Sequence, residues 1–164
     1  MLTPSQKTTL KAYINSVPEL AAQPLNSDGA SVIAAMINVP ASPDFWVWRT
    51  NVSRAEIYNT TSPDGTNWNW TTYKAQGVSE QNAWTQMFMG DQGDFSQANF
   101  RSGVASIFGG ANAQTTHCLA MGRRKALQVE KVLAVGTGSA VSPAVMGFEG
   151  AIDYATVEDA RNNG

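Results

Sequence analysis

NAQTTHCLAMGRRKALQVEKVL, residues 112–133, is the stretch on which the fold class turns. Asn112 is a residue type that caps helices, because its side-chain oxygen accepts from a free N–H of the first turn. Behind it, Cys118, Met121, Leu127, Val132 and Leu133 mark out an apolar helical face. Read this way, 113–133 is the longest helix of the chain. Gly122 lies inside it at a cost of about 1 kcal/mol against Ala, the usual mark of a close helix crossing. Arg123, Arg124 and Lys125 then occupy one helical turn and form a basic patch.

The same signals recur outward from this stretch. On its N-terminal side, Phe100, Val104, Ile107 and Phe108 predict a helix closed by Gly109-Gly110. Ser79-Glu80-Gln81-Asn82 opens another, with Trp84, Met87 and Phe88, closed by Gly90. Ser53-Arg54-Ala55-Glu56 is a capping box for a helix over about 53–59. Thr3-Pro4-Ser5-Gln6 starts a helix carrying Leu10, Ile14 and Val17. A further helix, capped by Ser27 or Asp28, carries Ile33, Met36 and Ile37 and stops before Pro40. Ser62-Pro63-Asp64-Gly65 is a turn. Beyond it, Trp68, Trp70 and Thr72 alternate with polar neighbours and predict a short strand over 66–73.

The C-terminal part changes character. Gly136-Thr137-Gly138-Ser139 reads as a flexible linker. An extended segment with Val145, Phe148, Ile152 and Tyr154 follows, then a short helix opened by Thr156-Val157-Glu158-Asp159. The expected architecture is a mainly α helical bundle with one or two short β-strands and an extended C-terminal arm. Its domains are a helical core over 1–135 and a linker plus arm over 136–164.

Composition narrows the class of function. The chain has 164 residues, of which 43% are hydrophobic, enough for a sizeable core and too apolar for a disordered chain. Only 15% are charged, so a surface of this chain sheds few ions when it is buried against a neighbour. A net charge of −2 argues against a general nucleic-acid binder. No apolar run approaches the ~20 residues of a membrane helix, and Met1-Leu2-Thr3-Pro4 does not open like a secretory signal. A membrane partner is therefore not expected.

Candidate chemistry is sparse. His117 is the only histidine and Cys118 the only cysteine. On a helix these neighbours point about 100° apart, so they do not form a hydrogen-bonded nucleophile pair. No Gly-x-Ser-x-Gly elbow stands ready to use His117 as a base. Gly136-Thr137-Gly138 lacks the third glycine and the lysine of a phosphate loop. Asp91 and Asp94 resemble helix caps more than an acid–base pair. No catalytic residue, metal site or cofactor is expected.

The interface candidates come from two places. Phe45, Trp46, Val47 and Trp48 are four consecutive bulky residues, followed by Arg49. In an extended chain Phe45 and Val47 face one way and Trp46 and Trp48 the other, so both faces need cover. Tryptophan and arginine are enriched in binding hot spots. Charge is also uneven. Arg101–Lys131 holds five bases (Arg101, Arg123, Arg124, Lys125, Lys131) and one acid, Glu130, whereas Glu149–Arg161 holds four acids and one base. Opposed signs suit head-to-tail packing of copies. Phe45, Trp46, Trp48, Arg49, Arg123, Arg124, Lys125, Phe148 and Tyr154 are thus the interface candidates.

Several of these motifs together resemble a family of small structural proteins of tailed bacteriophages and prophages. They are Asn26-Ser27-Asp28-Gly29-Ala30, Ala41-Ser42-Pro43-Asp44-Phe45-Trp46-Val47-Trp48-Arg49-Thr50, and Ser62-Pro63-Asp64-Gly65-Thr66 with Trp68 and Trp70. Thr116-His117, Arg123-Arg124, Gly136-Thr137-Gly138 and Gly147-Phe148-Glu149-Gly150 extend the likeness over nearly the whole chain. The resemblance implies a head–tail adaptor, or connector, that joins the portal to the tail in the virion neck after synthesis in the host cytoplasm. It implies a homo-oligomeric ring, expected to be twelve-fold, with the portal protein and a downstream tail or nozzle protein as partners and DNA passing through the channel. The alternatives are a tail terminator, a head-completion protein or another minor virion protein and, more distantly, a small hydrolase using His117.

Overall fold

A computed structural model describes all 164 residues, Met1–Gly164. The fold is mainly helical: ten helices and four strands of two or three residues. The strands make two two-stranded sheets. The chain divides into two compact units, one made of Met1–Val47 with Lys125–Gly164 and the other of Trp48–Arg124. The expected boundary at residue 135 is therefore not where the chain divides.

The first unit contains α1 (Pro4–Ser16), α2 (Pro18–Ala21), α3 (Ser27–Ile37), α9 (Gln128–Leu133) and α10 (Tyr154–Asn163). α1 begins as its sequence dictates: Thr3 accepts from the Gln6 N–H while the Gln6 side chain accepts from the Thr3 N–H. α3 is capped by Asn26, not by Ser27 or Asp28. Its buried face, Ala30, Ile33, Ala34 and Ile37, joins Leu10 and Ile14 of α1, Val129 and Leu133 of α9 and Val157 and Ala160 of α10 in one aliphatic core.

The tail from 136 onward is not a free arm. Ile152, Val157 and Ala160 are buried in that core, and polar contacts fix the backbone around them. The Asn38 side-chain amide donates to the Ile152 carbonyl at 2.8 Å and accepts from the Ile152 N–H at 2.9 Å. The fully buried Glu130 carboxylate accepts from the N–H groups of Leu127 at 2.8 Å and Gly150 at 2.7 Å. Lys7 and Asp159 form an ion pair at 2.7 Å, and the Arg161 guanidinium donates to the carbonyls of Gln23 and Pro24. Nor is Gly138 part of a loose linker. Its φ is +66°, the Phe45 ring lies where a Cβ would stand, and its carbonyl accepts from Trp46 at 2.7 Å.

The second unit holds α4 (Arg54–Asn59), α5 (Trp70–Lys74), α6 (Val78–Met87), α7 (Ala98–Phe108) and α8 (Ala113–Met121). Strands β2 (Val52–Ser53) and β3 (Gln92–Gly93) pair antiparallel. The core is aromatic. Trp68 stacks on Trp84 at 5.3 Å, Phe108 meets both edge-on, and Trp84 leads on to Phe88 and Phe100. The Trp84 indole N–H donates to the Tyr58 hydroxyl at 2.8 Å, so this fully buried ring leaves no polar atom unmet.

Two sequence expectations fail, one on non-local bonds and one on a local cap. The expected helix 113–133 is α8, then β4 (Arg123–Lys125), then α9. Between the helices the backbone bonds to distant residues: Arg49 N–H donates to Gly122 and Ala126 N–H to Phe45, both at 2.8 Å, and Ala41 N–H donates to Ala126 at 2.9 Å. β4 pairs with β1 (Trp46–Trp48). Gly122 does mark a close approach, but of the Phe95 ring, which would lie 2.2 Å from an added Cβ. The expected strand over 66–73 is irregular up to Asn69, whose side chain caps the short helix α5 by accepting from Thr72 at 3.0 Å.

Candidate functional site

His117 sits on α8, fully buried in the second unit. Its Nε2 lies 2.8 Å from the Ile57 carbonyl. That carbonyl belongs to the last turn of α4, where main-chain acceptors lack intrahelical donors, so the ring satisfies a helix end. With Nε2–H donating there, Nδ1 accepts from the Thr66 hydroxyl at 3.2 Å, and Thr66 Oγ1 accepts in turn from Ser62 Oγ at 2.7 Å. The hydroxyl of Ser62 also accepts from the Asp64 and Thr66 N–H groups, which fixes the expected Ser62–Gly65 turn. Every proton along this Ser62–Thr66–His117–Ile57 chain has an acceptor. The arrangement locks a turn and a helix terminus to α8 and gives a substrate no route to the imidazole.

Cys118 is buried beside it, and desolvation raises its thiol pKa well above the ordinary range, which makes it a poor nucleophile. Gln114 accepts from the Asn69 N–H at 3.0 Å. Neither Asp91 nor Asp94 caps a helix: Asp94 accepts from the Ser96 N–H and hydroxyl in the turn ahead of α7, whose N-cap position is Gln97, and Asp91 is exposed near Arg54.

The interface candidates are largely engaged within the chain. In the first unit Phe45 and Trp46 are half-buried: Phe45 covers Gly138 with Lys131 Nζ 5.8 Å from its ring, and Lys125 Nζ is 6.0 Å from the Trp46 ring. Lys125 pairs with Asp44 at 2.7 Å. Phe148 packs on the aliphatic core, while Tyr154 and Lys125 are exposed. In the second unit Trp48 belongs to the aromatic core, with the Arg101 guanidinium 4.5 Å from its ring centroid. Burial lowers the Arg101 pKa. Arg49 holds Glu56 through both terminal nitrogens, and Arg123 holds Asp64. Arg124 is half-buried on β4.

The basic helix of the sequence reading is thus a strand whose Arg123 and Lys125 meet local acids. Three acids of the tail are likewise used within the first unit: Asp153 caps α10, Asp159 meets Lys7, and Glu158 accepts from Ser27. Asp153 and Asp159 are held below the usual carboxylate range, by the Thr156 hydrogen bonds and by the bond from Lys7 respectively.

Exposed apolar residues missed by the sequence reading lie elsewhere. Val32, Met36 and Val39 keep 39–47% of their area in solvent, Val135 76% and Val141 93%. The signal that marks them is the lack of charge between Asp28 and Asp44 and between Lys131 and Glu149. A third uncharged stretch, 102–122, exposes only small and polar residues. No helix is long and apolar enough to cross a membrane. Comparison with protein-family models, with curated proteins and with solved structures gives no match.

Proposed function

We propose that the chain is a non-enzymatic assembly subunit: a head–tail adaptor that joins the portal to the tail as a ring in the neck of a tailed phage. The observation that carries the non-enzymatic part is His117, the only histidine, sealed in the core with both ring nitrogens committed to the fold. The phage placement rests on the resemblance of the motifs at 26–30, 41–50, 62–66 and 147–150. The low charge content and the exposed apolar residues favour a protein that works in contact with others.

In this role the work is mechanical. Each copy bridges the portal and the next tail component and leaves a lumen for DNA. The direct test mixes the full chain with the portal protein of the same phage and weighs the products by mass photometry. A stoichiometric complex is expected; a chain that ignores the portal overturns the placement. Replacing His117 by Gln separates the hydrolase alternative. On the proposed reading H117Q keeps portal binding and loses about 1–3 kcal/mol of stability, through a buried group left unpaired. An activity abolished by H117Q in a variant that still folds and binds would sink the non-enzymatic reading.

A further inference from the structure

Most arginines of this chain are used up by the fold. The guanidinium groups of Arg49, Arg101, Arg123 and Arg161 each donate to a carboxylate or a main-chain carbonyl. Arg54, the first residue of α4, is different. Its guanidinium has no hydrogen-bond acceptor, for the Asp91 carboxylate stands 3.8 Å away, outside hydrogen-bonding range. The Arg54 side chain is only 30% exposed, whereas that of Asp91 is 88% exposed. A largely buried cation whose donors meet neither acceptor nor full solvation is costly to hold.

Arg54 lines a cleft of about 400 Å³ with Ser53, Ala55, Tyr58 and Asp91, all of them in the second unit. The other polar groups of its walls also have protons to give. Ser53 Oγ accepts from the Glu56 N–H, and nothing in the chain accepts the Ser53 hydroxyl proton. Tyr58 Oη accepts from the Trp84 indole, and its own proton is likewise unclaimed. Burial raises the Tyr58 pKa, and the Trp84 bond and the Arg54 charge oppose that rise. The phenol is therefore protonated at neutral pH and within electrostatic reach of the guanidinium. Two amides at the start of α4 are already committed, Arg54 N–H to the Asp91 carbonyl at 3.3 Å and Glu56 N–H to Ser53. The free donors of the cleft belong to side chains, which the β2–β3 pair and the first turn of α4 hold in place.

Donors without acceptors on the walls, with one acid at the rim, describe the complement of an oxyanion. We propose that this cleft binds an organic monocarboxylate, gripped by the planar fork of Arg54 with the Ser53 and Tyr58 hydroxyls as further donors. Asp91 selects against a dianion such as phosphate, because a second negative charge would face it at close range. The cleft is larger than a carboxylate group needs, and Ala55 and the Tyr58 ring offer an apolar wall to a short hydrocarbon stem. A free organic acid and a glutamate side chain of another protein share this chemistry. Asp91 competes for Arg54 while the cleft is empty; being exposed, it turns to water at little cost when the ligand docks. The inference stands whether or not the chain joins a portal to a tail.

The test titrates the full chain with sodium butyrate at constant ionic strength and follows the amide and arginine Nε–H resonances by NMR. Saturable shifts centred on Ser53, Arg54, Tyr58 and Asp91 are expected. Arg54→Gln should weaken binding at least about tenfold. Asp91→Asn removes the competing charge and should tighten binding about threefold. Asparagine tolerates the φ of +64° at position 91, so D91N keeps the loop, and thermal melting checks the fold of both variants. A Gly-Glu-Gly peptide blocked at both ends, set against its Gly-Gln-Gly counterpart, separates the two sources. Displacement of butyrate by the glutamate peptide assigns a protein side chain; binding of butyrate without the peptide assigns a free acid. The proposal is overturned if neither carboxylate gives saturable shifts, or if the glutamine peptide binds as well as the glutamate one. It is equally overturned if phosphate binds as tightly as butyrate, if R54Q leaves the affinity unchanged, or if D91N weakens binding.

Discussion

The two units of this chain solve the same packing problem with different materials. The first is assembled from both ends of the sequence, 1–47 and 125–164, around leucine, isoleucine, valine and alanine on five helices. The second is continuous, 48–124, with its helices held by linked rings from Tyr58 to Phe108. Aromatic side chains bury the most area per residue, and the second unit sinks most of its large apolar groups, leaving Trp70, Val78 and Met89 exposed. Aliphatic helices place apolar residues around more of their circumference, and in the first unit α3 leaves part of that surface outside. Surplus apolar surface in one unit and a sealed polar chain around His117 in the other are the features on which the proposed assembly role rests.

The sharpest way to break this comparison is to remove residues 136–164. If they were an arm, the rest would fold as before. Because Ile152, Val157 and Ala160 lie in the core and Asn38 and Glu130 bond to tail backbone, the deletion should cost at least about 5 kcal/mol, comparable to a whole domain's stability. Far-UV circular dichroism should show loss of helix from the first unit. Four of the five tryptophans, Trp48, Trp68, Trp70 and Trp84, belong to the second unit and report on it separately by fluorescence. A truncated chain that melts like the full one would restore the arm.

A smaller loss tests the second unit. Trp84→Ala removes a fully buried ring from the centre of the aromatic array and strips the Tyr58 hydroxyl of its donor. The expected cost is about 3–5 kcal/mol in urea unfolding. Trp84→Phe keeps most of the packing and should cost clearly less. A cost under about 1 kcal/mol for Trp84→Ala would mean that the rings are not what holds this unit.

Where the sequence was legible, the cause was local. α1 and α4 declare themselves through caps at Thr3 and Ser53, and α7 and the cap at Asn112 follow from periodicity and punctuation. The burial of His117 was not readable, because its partners Ile57 and Thr66 lie 60 and 51 residues away in sequence. The cap at Asn69 that makes 70–74 helical and the cap of α3 at Asn26 are local and were misread, whereas the larger failures are long-range. Residues 122–127 have helical composition but trade helical bonds for Arg49, Phe45 and Ala41. Gly138 looks like a hinge because the Phe45 ring that requires glycine there lies 93 residues away in sequence. The aromatic run 45–48 resembled one hot spot, yet Val47 is the last residue of one unit and Trp48 the first of the other, and each belongs to a separate core cluster.

Titration gives the smallest effect and separates the units by sign. Asp159 and Asp153, both serving α10, have folded pKa values below the ordinary ~3.9 of an aspartate. Their contribution to stability is therefore complete above that value and is lost as pH falls through the lower, folded one. In the second unit Tyr58 and Cys118 are shifted upward, chiefly by burial. Their contribution is complete below the unfolded values, ~8.5 for a thiol and ~10 for a phenol, and is lost as pH rises beyond them. Acid should thus loosen the first unit while alkali loosens the second. Asp159→Asn should flatten the fall in stability below about pH 4, with little change at pH 7 in ordinary salt, because an exposed pair is well screened. Tyr58→Phe should leave the acid limb untouched and remove part of the alkaline one. If D159N shifts the alkaline limb instead, the assignment of the two titrations to the two units is wrong.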